Sequence, residues 1–261
     1  MNSPKEFILD VIDIVPLNKT KENNRFFAIY LTPPPWNKWH SGQFVMLKPQ
    51  SFGMENILAR PFCISNLTND SLFCFIEVKG QGTKKISSLK KGDKVLAWGP
   101  LGNAFSIKDR PTLLLAGGMG IAPFIGYALN HPDPKNVSLL FGHREDIKSY
   151  PIKMIKKHIK TDCFQEKSLK DREEFISIIK NKMQDLGQNG LVLSCGPKPF
   201  LKTIQTFAKT LNIYTELSLE NAMACGIGAC LGCVCKTTNH KPIQICTNGP
   251  VFSANDILLE D

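Results

Sequence analysis

Four cysteines near the C-terminus carry the clearest chemistry in this sequence. Cys225, Cys230, Cys233 and Cys246 follow the spacing C-x4-C-x2-C-x12-C. The small residues Gly226, Gly228, Ala229 and Gly232 lie between the first three, and such residues let backbone amides approach the sulfur atoms of a metal cluster. The spacing predicts that four thiolates hold a [2Fe–2S] cluster. The first three cysteines match the plant-type ferredoxin run, whereas the gap to Cys246 is not the usual plant spacing.

Zinc and disulfide bonds are the competing interpretations of these cysteines. Structural zinc sites favour two separated C-x2-C pairs, whereas three of these cysteines are bunched behind a four-residue first gap. Disulfides need an oxidising compartment, and Met1 to Phe7 lack the apolar core and cleavage site of a signal peptide. We therefore predict a reduced, cytoplasmic chain. Cys235 is expected outside the cluster, because a C-x-C pair would bring adjacent thiolates onto one iron in a strained geometry.

Composition limits the classes of function. The chain has 261 residues, of which 43% are hydrophobic and 21% charged, enough for two domains and a small appendage. No apolar run approaches the ~20 residues that cross a bilayer, so no membrane association is expected. The net charge of +9 comes from scattered lysines without interleaved aromatic residues, so we expect no nucleic-acid partner.

The pattern of apolar runs divides the chain into three parts. Residues 1–107 alternate short β-type runs with turn residues and predict an antiparallel β-barrel. Residues 108–218 alternate buried strands with helical spacing and predict an α/β domain with a doubly wound parallel sheet. Residues 219–261 form the expected iron-sulfur lobe. The barrel strands are predicted at Phe7–Val15, Arg25–Leu31, Phe44–Leu47, Leu72–Val78 and Lys94–Trp98; the later strands at Thr112–Ala116, Val137–Phe141 and Leu191–Ser194; and helices at Asp171–Met183 and Pro199–Leu211.

Two turns are placed to bind a dinucleotide. Gly117-Gly-Met-Gly-Ile-Ala-Pro123 follows an apolar strand and opens a helix, where backbone can approach a pyrophosphate. Cys195-Gly-Pro-Lys-Pro199 also follows a buried strand, which puts it beside the first turn at the carboxyl edge of the sheet. The glycine pattern differs from G-x-G-x-x-G, and a turn serving only helix packing is the alternative.

The barrel offers a second set of phosphate-binding groups. Arg60-Pro-Phe-Cys-Ile-Ser65 stands at the end of one strand, and Gly80-Gln-Gly-Thr83 precedes a helix predicted at Lys84–Leu89. An arginine fork together with a helix N-terminus would bind a pyrophosphate. Each motif taken alone has a simpler explanation: Arg60 could be an ordinary surface arginine, and Gly80–Thr83 could be an ordinary turn.

Together these motifs resemble the ferredoxin-reductase superfamily. Their order along the chain is similar to one branch of it, the electron-transfer subunits of class 1B dihydroorotate dehydrogenase. The most specific parts are Met223-Ala-Cys-Gly-Ile-Gly-Ala-Cys230 and Cys246-Thr-Asn-Gly-Pro-Val-Phe252. Gly99-Pro-Leu-Gly-Asn103 is also similar. The resemblance covers essentially the whole chain.

The resemblance implies a set of binding residues. Arg60 and Thr83 would bind the FAD pyrophosphate, and NAD pyrophosphate would lie at the first glycine turn. The residues implied for the flavin are Arg60, Pro61, Phe62, Cys63, Ser65, Gly80, Gly82 and Thr83; those for NAD are Gly117, Gly118, Gly120, Cys195, Gly196 and Pro197, the last three near the nicotinamide; and those for the [2Fe–2S] cluster are Cys225, Cys230, Cys233 and Cys246.

Two positions leave questions open. The family usually has serine or threonine at Cys63, near flavin N5, and a thiol is a weaker hydrogen-bond donor. Ser65 could partly substitute for the missing hydroxyl. In His143-Arg144-Glu145-Asp146, an arginine could bind a 2′-phosphate, whereas an acid would prefer the NAD ribose. The resemblance favours NADH, and the residues leave NADPH open.

The implied function is electron transfer between NAD(H) and a partner, through FAD and the cluster, in pyrimidine biosynthesis. The implied partner is an FMN-containing dihydroorotate dehydrogenase catalytic subunit, in a heterotetramer of two copies of each chain. The pyrimidine site belongs to that partner, and no catalytic residue is assigned here. Alternatives are a related NAD(P)H-dependent subunit for sulfite reductase, hydrogenase or ferredoxin, a non-catalytic redox sensor, and a zinc-bearing interaction module.

Overall fold

The computed structural model describes residues 5–18, 25–36 and 38–259, and these residues form three β-sheets with helices against the second. Residues 1–4, which entered the signal-peptide argument, lie outside the described residues. The strands are β1 Glu6–Leu17, β2 Phe26–Leu31, β3 Phe44–Pro49, β4 Arg60–Cys63, β5 Asn66–Leu67, β6 Leu72–Glu77, β7 Lys94–Leu101, β8 Thr112–Gly117, β9 Val137–His143, β10 Lys160–Gln165, β11 Leu191–Cys195, β12 Thr215–Ser218, β13 Val234–Thr237, β14 Pro242–Gln244, β15 Val251–Ser253 and β16 Ile257–Leu258. The helices are α1 Gln81–Ser87, α2 Ala122–Asn130, α3 Ile152–Lys156, α4 Leu169–Leu186, α5 Lys198–Leu211 and α6 Ile245–Asn248.

The first sheet is antiparallel and barrel-like, as predicted. Its strand order is β4-β3-β7-β1-β2-β6-β5. The chain leaving β4 links the two edges, because Ile64 N–H donates to Gln43 O at 3.1 Å and Ser65 N–H donates to Phe73 O at 3.0 Å. Strands β4 and β5 were not predicted as strands, since they span only four and two residues.

Alternation along β2 explains how the barrel meets the second sheet. Phe27 and Ile29 point into the barrel core, whereas Phe26 and Ala28 pack with the helix and strand residues of the α/β part. Successive side chains of a strand point to opposite faces, so a strand buried on both sides is apolar throughout. The barrel therefore packs directly against the nucleotide-type domain, and cavities form where the two meet.

The second sheet has the order β10-β9-β8-β11-β12-β15, with the first five strands parallel. Helices α2 and α3 pack on one face and α4 and α5 on the other, so the predicted doubly wound arrangement is confirmed. The chain continues from β8 to β9 on one side of β8, and it later returns to form β11 on the other side of β8. Ligands bind in the crevice at such a switch point, outside the carboxyl ends of the strands.

Three helices begin earlier than the sequence predicts, and α5 does so by one residue, at Lys198 rather than Pro199. The Ser168 hydroxyl accepts the Asp171 N–H at 3.2 Å and the Asp171 carboxylate accepts the Ser168 N–H at 2.9 Å, so α4 begins at Leu169 rather than Asp171. Similarly, Thr83 Oγ1 accepts the Gly80 N–H at 3.1 Å, and α1 begins at Gln81 rather than Lys84.

The third sheet, β14-β13-β16, forms the C-terminal lobe with the cysteine loop before it. One strand of this part joins the second sheet instead, because β15 pairs antiparallel with β12. The C-terminal segment is thus interlocked with the α/β domain, and the boundary placed at residue 219 stays a prediction.

Candidate functional site

The four predicted cluster cysteines come together as two pairs. Cys225 Sγ and Cys230 Sγ lie 3.3 Å apart in the loop that precedes β13. Cys233 ends that loop, and its Sγ accepts the N–H of Cys246, in α6, at 3.4 Å. A [2Fe–2S] cluster is held by four cysteine thiolates shared between two irons, and two sulfur pairs fit that arrangement.

Backbone amides surround the sulfur atoms, as the small residues predict. Cys225 Sγ accepts the N–H groups of Ile227 at 3.5 Å and Cys230 at 3.4 Å, and Cys230 Sγ accepts the N–H of Gly232 at 3.5 Å. Gly226 has φ of +71°, a conformation that favours glycine. N–H groups aimed at sulfur stabilise the negative charge of a thiolate-bound cluster.

The two ends of the site differ in their electrostatics. The N–H of Gly232 and the backbone and thiol of Cys225 lower the pKa of exposed Cys230 to about 7. Burial, followed by the adjacent Cys233 thiol, raises the pKa of Cys246 to about 12. Because metal ligands must be thiolates, positive iron is needed to offset the cost of ionising Cys246.

The fifth cysteine of the lobe is set apart from the two sulfur pairs. Cys235 lies in β13 opposite Ile243 and packs on the apolar core beneath the loop. Among the residues that the structure describes, no group of three or more His, Cys, Asp or Glu side chains is placed to hold a metal ion, so zinc stays an alternative that metal analysis decides.

A cavity of about 280 Å³ lies where the barrel, the α/β domain and the cysteine lobe meet. The predicted residues in its wall are Arg60, Pro61, Phe62, Cys63, Thr83 and Cys195. Met223, two residues before Cys225, also lines it. The volume lies just below the ~300–1,000 Å³ of small-molecule sites, so it fits the ring end of a flavin rather than a whole dinucleotide.

Arg60, the arginine predicted to bind phosphate, packs against the first turn of α1. A Cβ added to Gly82 would lie 2.8 Å from Arg60 Nε, so the guanidinium lies directly on this glycine. Arg60 Nη1 donates to Leu58 O at 2.6 Å, which fixes the group against its own loop. The Thr83 hydroxyl accepts the N–H groups of Lys79 and Gly80 at 2.9 and 3.1 Å, so its oxygen is engaged by the loop itself.

Ser65 is not brought to this cavity. Its side chain is fully buried, and its hydroxyl accepts the Phe75 N–H at 3.1 Å inside the barrel wall. Cys63 does line the cavity, with its Sγ 3.7 Å from Ile64 O. Burial, and then the neighbouring Cys195, raises the pKa of the Cys63 thiol well above its usual range. Burial likewise raises the pKa of Cys195, so both thiols are neutral weak donors at physiological pH.

The two predicted dinucleotide turns touch each other. Gly117 ends β8 and a 3-10 turn, Gly118–Ile121, leads into α2. A Cβ added to Gly120 would lie 2.0 Å from Cys195 O and 2.7 Å from Gly196 N, so a side chain there would force the turns apart. Pro197 precedes α5 and lies against Gly117. The structure thus assembles these turns at the switch point of the sheet.

Three charged residues of the cavity were not predicted. Glu77 ends β6, Lys79 lies two residues beyond it, and Glu220 lies two residues beyond the end of β12. In the sequence, Glu77 could have been noticed as the single acid within the otherwise apolar run Leu72–Val78. For Glu220 the signal was its place just beyond the carboxyl end of a parallel strand.

An ion-pair network ties the barrel to the α/β domain. Arg25 Nε donates to Glu77 Oε1 at 2.7 Å, and Arg25 Nη1 donates to Glu145 Oε1 at 2.7 Å. Lys79 Nζ lies 3.3 Å from Glu77 Oε2. Glu77 is almost fully buried, whereas Glu145 lies in the loop after β9. Arg25 therefore connects the cavity wall with the loop beyond the second parallel strand.

Comparisons with known proteins agree with this arrangement. Residues 220–258 match the family model described as the iron-sulfur cluster binding domain of dihydroorotate dehydrogenase B. A protein from Caldanaerobacter subterraneus subsp. tengcongensis, named dihydroorotate dehydrogenase B (NAD(+)), electron transfer subunit, is 34% identical over 85% of this chain and 88% of its own length. A protein of the same name from Listeria innocua is 33% identical over 84% of this chain and 87% of its own length.

Solved structures share the fold at lower identity. An NADH-dependent reduced ferredoxin-NADP oxidoreductase, described for flavin-based electron bifurcation, superposes with a TM-score of 0.80 at 19% identity, covering 99% of this chain and 92% of its own. Ferredoxin NADP+ reductase from Neisseria gonorrhoeae, with bound FAD and NADP, gives a TM-score of 0.62 at 15% identity, covering 81% and 93%. Within the described residues, no helix has the length and apolar character to cross a bilayer.

Proposed function

Since this chain belongs to the family of dihydroorotate dehydrogenase B electron transfer subunits, we propose that it passes electrons between NAD(H) and a dihydroorotate-oxidising partner subunit in pyrimidine biosynthesis. It does so as an oxidoreductase subunit that carries FAD and a [2Fe–2S] cluster. When bound, the flavin exchanges electron pairs with a nicotinamide and single electrons with the cluster. The chain's residues bind and orient these groups.

The observation that carries the proposal is the shared cavity. Cys63 of the barrel, Cys195 of the α/β domain and Met223 of the cysteine lobe all line one space of about 280 Å³. A flavin ring there would face a nicotinamide from the Cys195 side and the cluster from the Met223 side. Electron transfer from nicotinamide to flavin to cluster requires these groups to lie close together. A protein that only stored or sensed electrons at separate sites would not require it.

Binding of the flavin is assigned to the barrel face of the cavity. We propose that Arg60 pairs with the FAD pyrophosphate, with backbone N–H groups of Gly80–Thr83 beside it. Pro61, Phe62 and Cys63 would border the ring. The packing of the Arg60 guanidinium on Gly82 supports this assignment, because it holds the charged group next to Gly80–Thr83.

Binding of NAD(H) is assigned to the two turns in contact. We propose that the backbone at Gly117, Gly118 and Gly120 receives the pyrophosphate, while Cys195, Gly196 and Pro197 border the nicotinamide. The buried, neutral Cys195 thiol excludes water and adds no charge next to the nicotinamide.

The partner is proposed to dock over the cluster loop. Cys230 is exposed, and three apolar side chains of the same loop region, Ile227, Leu231 and Val234, are 45%, 64% and 39% exposed. Apolar side chains grouped around a redox centre mark an interaction surface. We propose that an FMN-containing catalytic subunit covers this loop, in a heterotetramer of two copies of each chain.

The location proposed for the chain is the cytoplasm. All nine cysteines are free thiols in the structure. Thiols persist in reducing compartments, and cluster ligands must remain thiolates.

The deciding experiment is an anaerobic visible spectrum of the purified chain before and after NADH. We expect flavin absorption near ~450 nm with a broader cluster contribution, both bleached by NADH. Iron and acid-labile sulfide analysis should find two of each per chain, as a [2Fe–2S] cluster requires. Cys230→Ser should lose the cluster, whereas the neighbouring Cys235→Ser should keep it.

Other outcomes would contradict the proposal. A colourless protein containing zinc would indicate an interaction module. A cluster that reports oxidation, with no NADH-driven reduction of the flavin, would indicate a sensor. Retention of the cluster in Cys230→Ser with loss in Cys235→Ser would overturn the ligand assignment.

A further inference from the structure

A second hollow, of about 500 Å³, opens at the carboxyl ends of β9 and β10. Its charged lining residues are Asp146, Lys156 and Lys167. The remaining wall comes mainly from the last residues of the two strands. The hollow is separate from the flavin cavity, which none of these three residues lines.

The hollow lies within reach of the first dinucleotide turn. Gly117, where that turn begins, pairs with Gly142 at the end of β9. Neighbouring strands are ~4.8 Å apart, so the β9–β10 hollow is about 5–10 Å from the turn. The adenosine half of a dinucleotide whose pyrophosphate sits at the turn extends over that distance along the carboxyl edge. This step rests on the proposed function.

The structure distinguishes between the two acids that follow β9. Glu145 is engaged by Arg25 at 2.7 Å and is absent from the hollow's wall. Asp146 lines the hollow, and its Oδ1 accepts the Lys148 N–H at 2.8 Å, which holds the carboxylate in place. Arg144 is exposed and does not line the hollow. Of the two acids, Asp146 is therefore the one that lines the hollow.

We propose that Asp146 is the residue that selects NADH over NADPH. A carboxylate accepts hydrogen bonds from the 2′- and 3′-hydroxyl groups of the adenosine ribose, and it repels a 2′-phosphate. Lys156 and Lys167 line the same hollow and would attract that phosphate. A single acid thus opposes two cations, and removal of its charge leaves a site suited to NADPH.

The test compares the binding of AMP and 2′-phospho-AMP to the full chain by calorimetry. Asp146→Asn keeps a side-chain oxygen for the Lys148 N–H but removes the charge. We expect it to shift the affinity ratio toward 2′-phospho-AMP by at least about tenfold, since one charge near a phosphate is removed at a partly screened site. Adding Lys156→Gln should reverse part of the shift. The ratio of kcat/KM for NADPH and NADH should change in the same direction.

Asp133→Asn is the matched control. Asp146 caps the 3-10 turn Ile147–Ser149, and Asp133 caps the 3-10 turn Pro134–Asn136 in the same way. The Asp133 carboxylate accepts the Lys135 N–H at 3.3 Å, and Asp133 does not line the hollow. Its affinity ratio should stay within about twofold of the native value, as for a distant independent site.

The outcomes separate this inference from the proposed function. A native chain that binds AMP, with an unchanged ratio in Asp146→Asn, overturns the inference. A native chain that is reduced by NADH but binds neither probe in competition with NADH also overturns it, because the adenosine half then lies elsewhere. Failure of the proposed function would show independently, as no NADH-driven bleaching of the native flavin.

Discussion

The indole Nε1–H of Trp98 donates a hydrogen bond to the carbonyl oxygen of Cys225 across 3.1 Å, so β7 of the barrel holds the first cysteine of the cluster loop. The next residue is pressed against β3, because a Cβ on Gly226 would lie 2.7 Å from Met46 Cγ. The loop that would carry the cluster is therefore attached to the barrel, and not only to its own small sheet.

Trp98→Phe should loosen this attachment. The lost hydrogen bond is worth about 1 kcal/mol, so we expect cluster release to accelerate by about fivefold. The measurement is the decay of visible absorption in the presence of an iron chelator. Trp36→Phe is the control, because the buried Nε1 of Trp36 has no hydrogen-bond partner among the described residues. Equal decay rates in the two variants would contradict the role of Trp98.

Gly120→Ala should separate the two dinucleotide turns. The new methyl group would lie 2.0 Å from Cys195 O, which the backbone can relieve only by moving. Overpacking of this kind costs about 1–3 kcal/mol, and because the displaced turns form the proposed NADH site, the KM for NADH should rise by about 5–150-fold. Steady-state kinetics with an artificial acceptor measures this.

Gly92→Ala provides the comparison for Gly120→Ala. Gly92 has φ of +89° with nothing within 4 Å of an added Cβ, so its substitution carries the backbone penalty without a clash. We expect a loss of stability of about 1 kcal/mol and an unchanged KM. A similar rise in KM in both variants would show that general destabilisation, and not the contact with Cys195, is responsible.

Cys63→Ser should strengthen a hydrogen bond toward the flavin. A hydroxyl donates better than a thiol, and a gain of about 0.5–1.5 kcal/mol corresponds to a change of about 2–10-fold in the rate of flavin reduction by NADH. Burial raises the pKa of the native thiol well above its usual range, so Cys63 stays protonated between pH 6 and 9, roughly the range in which an ordinary thiol would begin to ionise.

The pH profile therefore tests the state of Cys63 directly. Native protein and Cys63→Ser should give profiles of the same shape in rapid-mixing reduction by NADH. A step in the native profile below about pH 9 that disappears in the serine variant would show an ionising Cys63 and overturn this expectation.

Features read from contiguous residues were predicted best. The cysteine spacing and the glycine turn after β8 depend on local geometry, so their elements and their neighbours followed from the sequence. The fold class was also predicted, because runs of period two and of helical period differ along the whole chain. Helix α4 began two residues early, since the reciprocal bonds of Ser168 and Asp171 form only once the turn is in place.

Features built from distant residues were not predicted. Arg25, Glu77 and Glu145 are separated by 52 and 68 residues along the chain, and no local pattern joins them. Ser65 shows the converse, in which residues close in the sequence are separated in the structure. Its position beside Cys63 suggested a role at the flavin, but the chain turns there to close the barrel, and the hydroxyl accepts the Phe75 N–H instead.

Arg25→Met should destabilise the fold more than removal of its exposed partner. The substitution leaves the buried Glu77 carboxylate with Lys79 beside it at 3.3 Å. Breaking a fully buried pair costs about 3–5 kcal/mol, and because the Arg25 side chain is 44% exposed we expect a smaller loss, about 1–3 kcal/mol. Glu145→Gln removes an ion pair in which both side chains are more than a third exposed, worth about 0–1 kcal/mol. Equilibrium denaturation of the two variants measures the difference. Equal losses would show that Arg25 stabilises through Glu145 and not through Glu77.

Leu231→Asp tests the proposed partner surface. Leu231 is 64% exposed beside the cluster cysteines, so the change should leave the isolated chain folded. A charge placed in an apolar contact with the catalytic subunit would be buried without a partner, and we expect affinity to fall by at least about tenfold. Leu169→Asp is the matched control, because Leu169 is 78% exposed and begins α4, where an acid favours the helix. Equal affinities of the two variants, measured by calorimetry with the purified catalytic subunit, would place the interface away from the cluster loop. Electrons would then have to leave the chain by a route other than its most exposed cysteine.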